Sequence, residues 1–222
     1  METVLAQLCT GTAQWWDVTA VVANEASATV REVNGQLRIV RAGSRGKAAS
    51  VPICPTLPLH LWRGTYDCVI LHEPNPLAAT ALFCRNPGRR LIVWHHSDLV
   101  RPSWAPLVYG RIQRALYRRA DCVIVSSPPL AEHSHLVQEA KRVEIIPYGI
   151  RLEQYTDLDA KGHVLTGTLK TTHPGPRILF VGRLVYYKGL EVLLHAMTRC
   201  TATLLVVGDG PLEGALRAKH QK

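Results

Sequence analysis

R-I-L-F-V-G-R-L-V-Y-Y-K-G-L-E-V-L-L, running from Arg177 to Leu194, changes its apolar period half-way along. Ile178 to Val181 is an unbroken apolar run, as expected of a strand buried on both faces. Gly182 breaks the run, and after Gly189 a second pattern begins. Leu190, Leu193, Leu194 and Met197 fall at i, i+3, i+4 and i+7, one face of a helix. The stretch therefore reads strand, loop, helix, with Arg183 at the strand end and Lys188 just before the helix. A helix N-terminus carries unpaired N–H groups and partial positive charge, which suit an anion. Arg183 can add a bidentate fork and Lys188 a point charge, a pair suited to a diphosphate. Charge-assisted hydrogen bonds of this kind contribute roughly 1.5–3 kcal/mol each. The same two cations also fit a plain solvated loop, and chemistry alone leaves both readings open.

A second block, L-L-V-V-G-D-G-P-L at Leu204 to Leu212, follows at close spacing. Together with F-V-G-R-L-x-x-x-K-G-L it resembles the donor-binding half of the family 4 glycosyltransferases. The resemblance implies the two-domain GT-B architecture, α/β with two Rossmann-like domains, and sugar transfer from a sugar nucleotide with retention of anomeric configuration. It also implies that Arg183 and Lys188, with Gly182 beside them, hold the donor diphosphate without a metal. Asp157-Leu158-Asp159 spells the D-x-D of metal-dependent transferases, but no strand precedes it. Gly208-x-Gly210 with Gly214 is one residue off a dinucleotide fingerprint. An NAD(P)-binding oxidoreductase fragment therefore stays as an alternative, and so does a noncatalytic remnant or interaction module.

Composition narrows the classes. At 222 residues and 47% hydrophobic content, the alternating strand and helix patterns indicate a globular α/β protein. No apolar run approaches the length of a membrane span, and the N-terminal residues, with Glu2 and Cys9, do not read as a signal peptide. The six cysteines contain no C-x-x-C pair, and Cys68 and Cys122 sit in apolar runs, so buried, reduced thiols are expected. Part of the +9 net charge is concentrated in Y-G-R-I-Q-R-A-L-Y-R-R-A, where Arg111, Arg114 and Arg118 share a helix face. Such a stripe suits an anionic membrane surface or a phosphate-bearing acceptor, and equally a solvated face. No nucleic-acid module accompanies the charge, so nucleic acid is not an expected partner.

Earlier in the chain the pattern begins with a helix at residues 2–14 and strands at Val18–Ala23 and Leu37–Val40. Tyr66–Leu71 reads as a buried strand ending in His72-Glu73-Pro74-Asn75-Pro76, and Leu91–Trp94 as another ending in His95-His96-Ser97-Asp98. A basic helix over 106–120, a strand at Cys122–Val125, a helix at 129–139 and a strand at 143–146 follow. Ligands in open α/β sheets bind beyond the carboxyl ends of the strands, where His72, Glu73, His96, Ser126, Arg183 and Gly208 all fall. Neighbouring strand residues point to opposite faces, so His95 and His96 cannot both face a cleft. The resemblance selects His96 as the catalytic-region histidine, lying against the donor sugar and its phosphate. An imidazole there can stabilise charge on the departing diphosphate, and it can also be a histidine satisfied by backbone. Glu73 and Asn75 match an H-E-P-N-P segment implied to bind acceptor or sugar, and they can also simply cap the next helix. Ser50 and Pro52 match a weaker acceptor-side segment.

Residues 163–176 are polar and rich in Gly, Thr and Pro, which suggests a linker between a first domain, 1–162, and a second, 177–222. The resemblance further implies that the first domain lacks its initial strand and glycine-rich loop. It implies too that the second domain is only begun, without the carboxylates that contact donor sugar and ribose. The expected activity is hexose transfer from a UDP- or GDP-sugar to a hydroxyl of a lipid-linked or polysaccharide acceptor. The expected location is the cytoplasm, against the inner face of the membrane, and this chain alone is expected to have little activity.

Overall fold

The computed structural model describes residues 2–48, 51–98, 109–150, 152 and 159–220. The chain divides into two compact units, Met1–Gly149 and Ile150–Lys222.

The first unit holds two main sheets. Helix α1 (Glu2–Thr12) leads into β1 (Val18–Ala23), and β2 (Val30–Asn34) and β3 (Leu37–Ala42) form a hairpin. Its turn is Asn34-Gly35, with Gly35 at φ 58°, a left-handed position natural to glycine. β3 also runs parallel to β1, with Val18 opposite Leu37 and Ala23 opposite Ala42. Short strands β4 (Lys47–Ala48) and β5 (Val51–Pro52) pair with each other, and α2 (Leu57–Trp62) follows.

The second sheet is wholly parallel, in the order β6 (Tyr66–Glu73), β7 (Gly88–His95), β8 (Cys122–Val125), β9 (Val143–Ile145). Its crossovers carry α3 (Pro76–Cys84), α4 (Gly110–Arg119), α5 (Pro128–His133) and a 3-10 turn at Val137–Glu139. One face of this sheet builds the core. Leu71, Leu91, Val93, Val123 and Val125 are buried with Ala79 and Leu82 of α3, Leu116 and Tyr117 of α4, and Ala120 just after it. Each fully buried Leu or Val of this kind contributes about 1.5–3 kcal/mol relative to exposure.

β1 and β6 are end strands of two separate sheets. As an end strand, β6 is not buried along its length: Asp67, Cys68 and Ile70 are exposed, and burial begins at Leu71. The thiols also differ from expectation. Cys68 is exposed and Cys122 half-buried, whereas Cys9 and Cys54 are the buried ones among the described residues.

In the second unit, α6 (Ala160–Thr172) takes most of the segment expected as a linker. Asp159 Oδ1 accepts from the Gly162 amide at 2.7 Å, a helix cap that starts α6 despite its Gly and Thr content. The division between units accordingly falls at residues 149–150 and not near 162. β10 (Arg177–Val181) pairs parallel with β11 (Thr203–Val207). α7 (Leu190–Met197) follows β10, and α8 (Glu213–His220) follows β11. β10 was expected to be buried on both faces, yet Leu179 and Val181 are 61% and 68% exposed. Among the described residues β11 is its only ladder partner, so one edge of β10 stays open.

Candidate functional site

The loop carrying Arg183 is held by the turn after β11. Gly182 N–H donates to Val207 O at 3.0 Å and Leu184 N–H to Asp209 O at 2.7 Å, and Leu212 N–H returns to Leu184 O at 3.2 Å. Arg183 thus lies between two backbone clamps, with its side chain exposed. The glycines of the second block make the approach possible. Gly208 has φ 147° and Gly210 φ 152°. A Cβ on Gly208 would meet Gly182 O at 2.0 Å, and one on Gly210 would meet Leu184 O at 2.5 Å. The two sequence blocks are therefore one physical object, the second fixing the backbone of the first. Lys188 closes the 3-10 turn Tyr186–Lys188, and Gly189 (φ 69°) then opens α7. Leu190 at its start is buried, as the helical spacing predicts. Asp209 enters the clamp through its backbone carbonyl, a turn role.

In the first unit the carboxyl ends of β6 and β7 bring His72, Glu73, His95 and His96 together. His95 and His96 lie on opposite faces, as strand alternation requires. His95 is on the core side, 1% exposed, with Nδ1 2.6 Å from Tyr117 Oη and Nε2 3.7 Å from Asp98 Oδ1. Burial pushes its pKa down, against the pull of Asp98.

Glu73 shares the core face and is fully buried. Tyr109 Oη donates to its Oε1 at 2.7 Å and Oε2 at 3.0 Å, Gln113 Nε2 donates to Oε2 at 3.1 Å, and the Asn75 amide donates to Oε2 at 3.3 Å. Burial raises the Glu73 pKa, opposed by these hydrogen bonds. Glu73 ties the end of β6 to α4 and is not open to an acceptor, because the strand period that buries Leu71 buries it too. Asn75 takes the capping role, its Oδ1 accepting from the Ala78 amide at 3.1 Å. Ser50 lies outside the described residues.

His96 belongs to a row of rings on the other face. His72 stacks on Trp94 at 5.4 Å between centroids and on His96 at 5.2 Å, and His96 stacks on Tyr148 at 5.8 Å. His72 Nδ1 lies 2.9 Å from His96 Nε2, and His96 Nδ1 is hydrogen-bonded to the Tyr148 hydroxyl. His72 Nε2 is buried without a partner among the described residues. That orphan sets the direction of the chain. If His96 donated to His72, His72 would carry its proton on Nε2, as a buried N–H with no acceptor. A buried unsatisfied polar group costs about 1–3 kcal/mol, and orphaned donors are rarer than under-used acceptors. The favoured direction is therefore His72 Nδ1–H to His96 Nε2 and His96 Nδ1–H to Tyr148 Oη. The phenol, on a residue 42% exposed, can then give its own proton to water. Burial pulls both imidazoles down to about 4, so both are neutral near neutral pH.

The sequence singled out His96 but gave no role to His72, Trp94 or Tyr148. Their partners are up to 52 residues away along the chain, a separation that no local spacing encodes.

The basic helix is α4. Arg111, Arg114, Arg118 and Arg119 are all exposed. Arg118 Nε is paired with Glu139 Oε2 at 2.8 Å, and Arg119 lies over the Phe83 ring at 5.0 Å. Arg114 lines a cleft of about 580 Å³ with Asp98, Gln113, His135 and Glu139. No helix among the described residues is long and apolar enough to cross a membrane. Of the D-x-D sequence, Asp157 lies outside the described residues and Asp159 caps α6.

Residues 1–149 match the model of the glycosyl transferase 4-like domain. The chain is 31% identical over 158 residues to the O-antigen chain mannosyltransferase C of Escherichia coli, covering 71% of this chain and 42% of that protein. It is 29% identical over 159 residues to the D-rhamnosyltransferase WbpZ of Pseudomonas aeruginosa, covering 69% of this chain and 40% of that protein. The matched stretch thus spans less than half the length of either relative.

Proposed function

We propose, from the premise that the chain belongs to the family 4 glycosyltransferases, that it carries parts of a hexosyl-transfer site. The donor is a UDP- or GDP-linked sugar, and the acceptor is a hydroxyl of a lipid-linked or polysaccharide chain. The relatives' names, a mannosyltransferase of the O-antigen chain and a rhamnosyltransferase, support a hexose-type sugar and a polysaccharide acceptor. In the reaction the bond from the sugar C1 to the diphosphate oxygen breaks, the acceptor oxygen bonds to C1, and configuration is retained. The acceptor's proton leaves with the nucleoside diphosphate.

The observation that carries this reading is the clamp on Arg183. Backbone hydrogen bonds from Gly182 and Leu184 to the end of β11 and the turn after it hold the backbone of Arg183 at a parallel strand's carboxyl end. Arg183 and Lys188, with Gly182 beside them, hold the diphosphate without a metal. In the first unit His96, neutral and hydrogen-bonded, acts at the sugar–phosphate junction by donating an N–H hydrogen bond to an oxygen there. Asn75 and Ser50 serve the acceptor or sugar, and Glu73 serves by holding the turn that carries Asn75. Arg111 and Arg114, exposed on α4, suit a cytoplasmic protein resting on the anionic inner face of a membrane.

Binding of UDP and GDP, titrated calorimetrically, tests the reading. Arg183→Ala is expected to weaken the preferred nucleotide about tenfold, the loss of one charge-assisted contact. Unchanged affinity would remove Arg183 from the site.

A further inference from the structure

We propose that His96 meets its ligand through Nδ1 and that Tyr148 is the positioning residue the ligand displaces. The inference rests on the reading that His96 touches the donor or its departing phosphate, and it names the atom that does so.

The two nitrogens of His96 are held by very different partners. Nε2 is committed to His72 Nδ1 at 2.9 Å. His72 stands on β6 and is stacked against Trp94, which is 7% exposed, so this side of the imidazole is backed by packed rings. Among the described residues the hydrogen-bond partner of Nδ1 is the hydroxyl of Tyr148, which is exposed and lies past the end of β9. The last sheet-like bond before it runs from the Ile146 amide to Val125 O at 2.8 Å. Of the hydrogen bonds that the described residues make to His96, the one to Nδ1 is lost by moving a single exposed side chain, whereas reaching Nε2 means breaking into the stack.

The tautomer makes this exchange simple. His96 already carries its proton on Nδ1, so a ligand oxygen that replaces the phenol accepts the same N–H and no proton is relocated. An anionic phosphate oxygen accepts a stronger hydrogen bond than a neutral phenol does. In the resting molecule Tyr148 thus occupies the place of the ligand oxygen and keeps the imidazole turned toward it.

The test is a histidine side-chain 1H–15N spectrum of the 222-residue chain, titrated with inorganic pyrophosphate, with His96 identified by the loss of its signals in His96→Gln. The expected result is a proton on His96 Nδ1, an acceptor Nε2, and a pyrophosphate response at Nδ1. Tyr148→Phe, which keeps the ring and removes the hydroxyl, should shift the Nδ1 signal and bind pyrophosphate about threefold or more tightly. A purely structural Tyr148 would alter melting without moving that nitrogen. A proton on Nε2, a response at Nε2, or equal affinity in Tyr148→Phe would overturn the proposal. Pyrophosphate binding that is lost in Arg183→Ala but leaves His96 silent would overturn this inference alone. Failure of UDP and GDP to bind would instead overturn the reading beneath it.

Discussion

His72 is a neutral imidazole whose pKa is lowered to about 4, chiefly by burial, and that makes it an acid-sensitive point in the fold. The unfolded chain binds the proton near the ordinary value of 6.5 while the folded chain refuses it. Stability is therefore intact above pH 6.5 and falls as pH drops toward about 4. The share from His72 is about 2–3 kcal/mol. Glu73 acts in the opposite sense at the acid end, because burial raises its pKa. The His72 share is accordingly read as a difference: denaturant unfolding of His72→Asn should lose about 2 kcal/mol less than wild type between pH 7 and pH 4. Equal losses would mean that His72 takes up its proton in the folded state. Part of this was legible from residue types alone. The period of two placed His95 and His96 on opposite faces, and the same period applied to β6 places Glu73 on the side of Leu71. The bond from His96 to Tyr148 was not legible, because it needs the register of four strands and the path of the chain past β9.

Among the elements, the loop after β10 and the turn after β11 act together. Gly208→Ala puts a methyl against Gly182 O and a side chain at φ 147°, a combined cost of about 2 kcal/mol or more. Hydrogen exchange at the Gly182 and Leu184 amides is the direct measurement, and about 30-fold faster exchange is expected. Unchanged protection would show that the clamp on Arg183 does not depend on this glycine. The strand–loop–helix order and the α7 face were readable because an apolar run gives way to a 3.6-residue period at Gly189. The β2–β3 hairpin and helix α6 were among the elements not recognised. The β2–β3 hairpin has a turn signal in the sequence, Asn34-Gly35, but Val30 and Val33 are exposed and carry no core pattern. Helix α6 looked like a linker because Gly and Thr are poor helix formers. The cap from Asp159, three residues before Gly162, was the signal that outweighed them.

For the whole molecule, the family followed from the two motif blocks, and the match of residues 1–149 reaches the same family from the other unit. The division between units was not legible to within a dozen residues, since α6 belongs with β10 and β11. Charge was legible as a stripe but not as pairing: of the three arginines read as one face, Arg118 is tied to Glu139. The proposed role of Arg183 is to hold a nucleoside diphosphate, and melting the 222-residue protein with UDP, GDP, their sugar conjugates and NAD is the direct test of that role. A ligand that binds only the folded state raises the melting temperature, by about 2.7 kcal/mol of added stability at a hundred times its Kd. The expected result is a rise with UDP or GDP compounds, none with NAD, and loss of the rise in Arg183→Ala. A cooperative melt indifferent to UDP and GDP, or a rise with NAD alone, would contradict it.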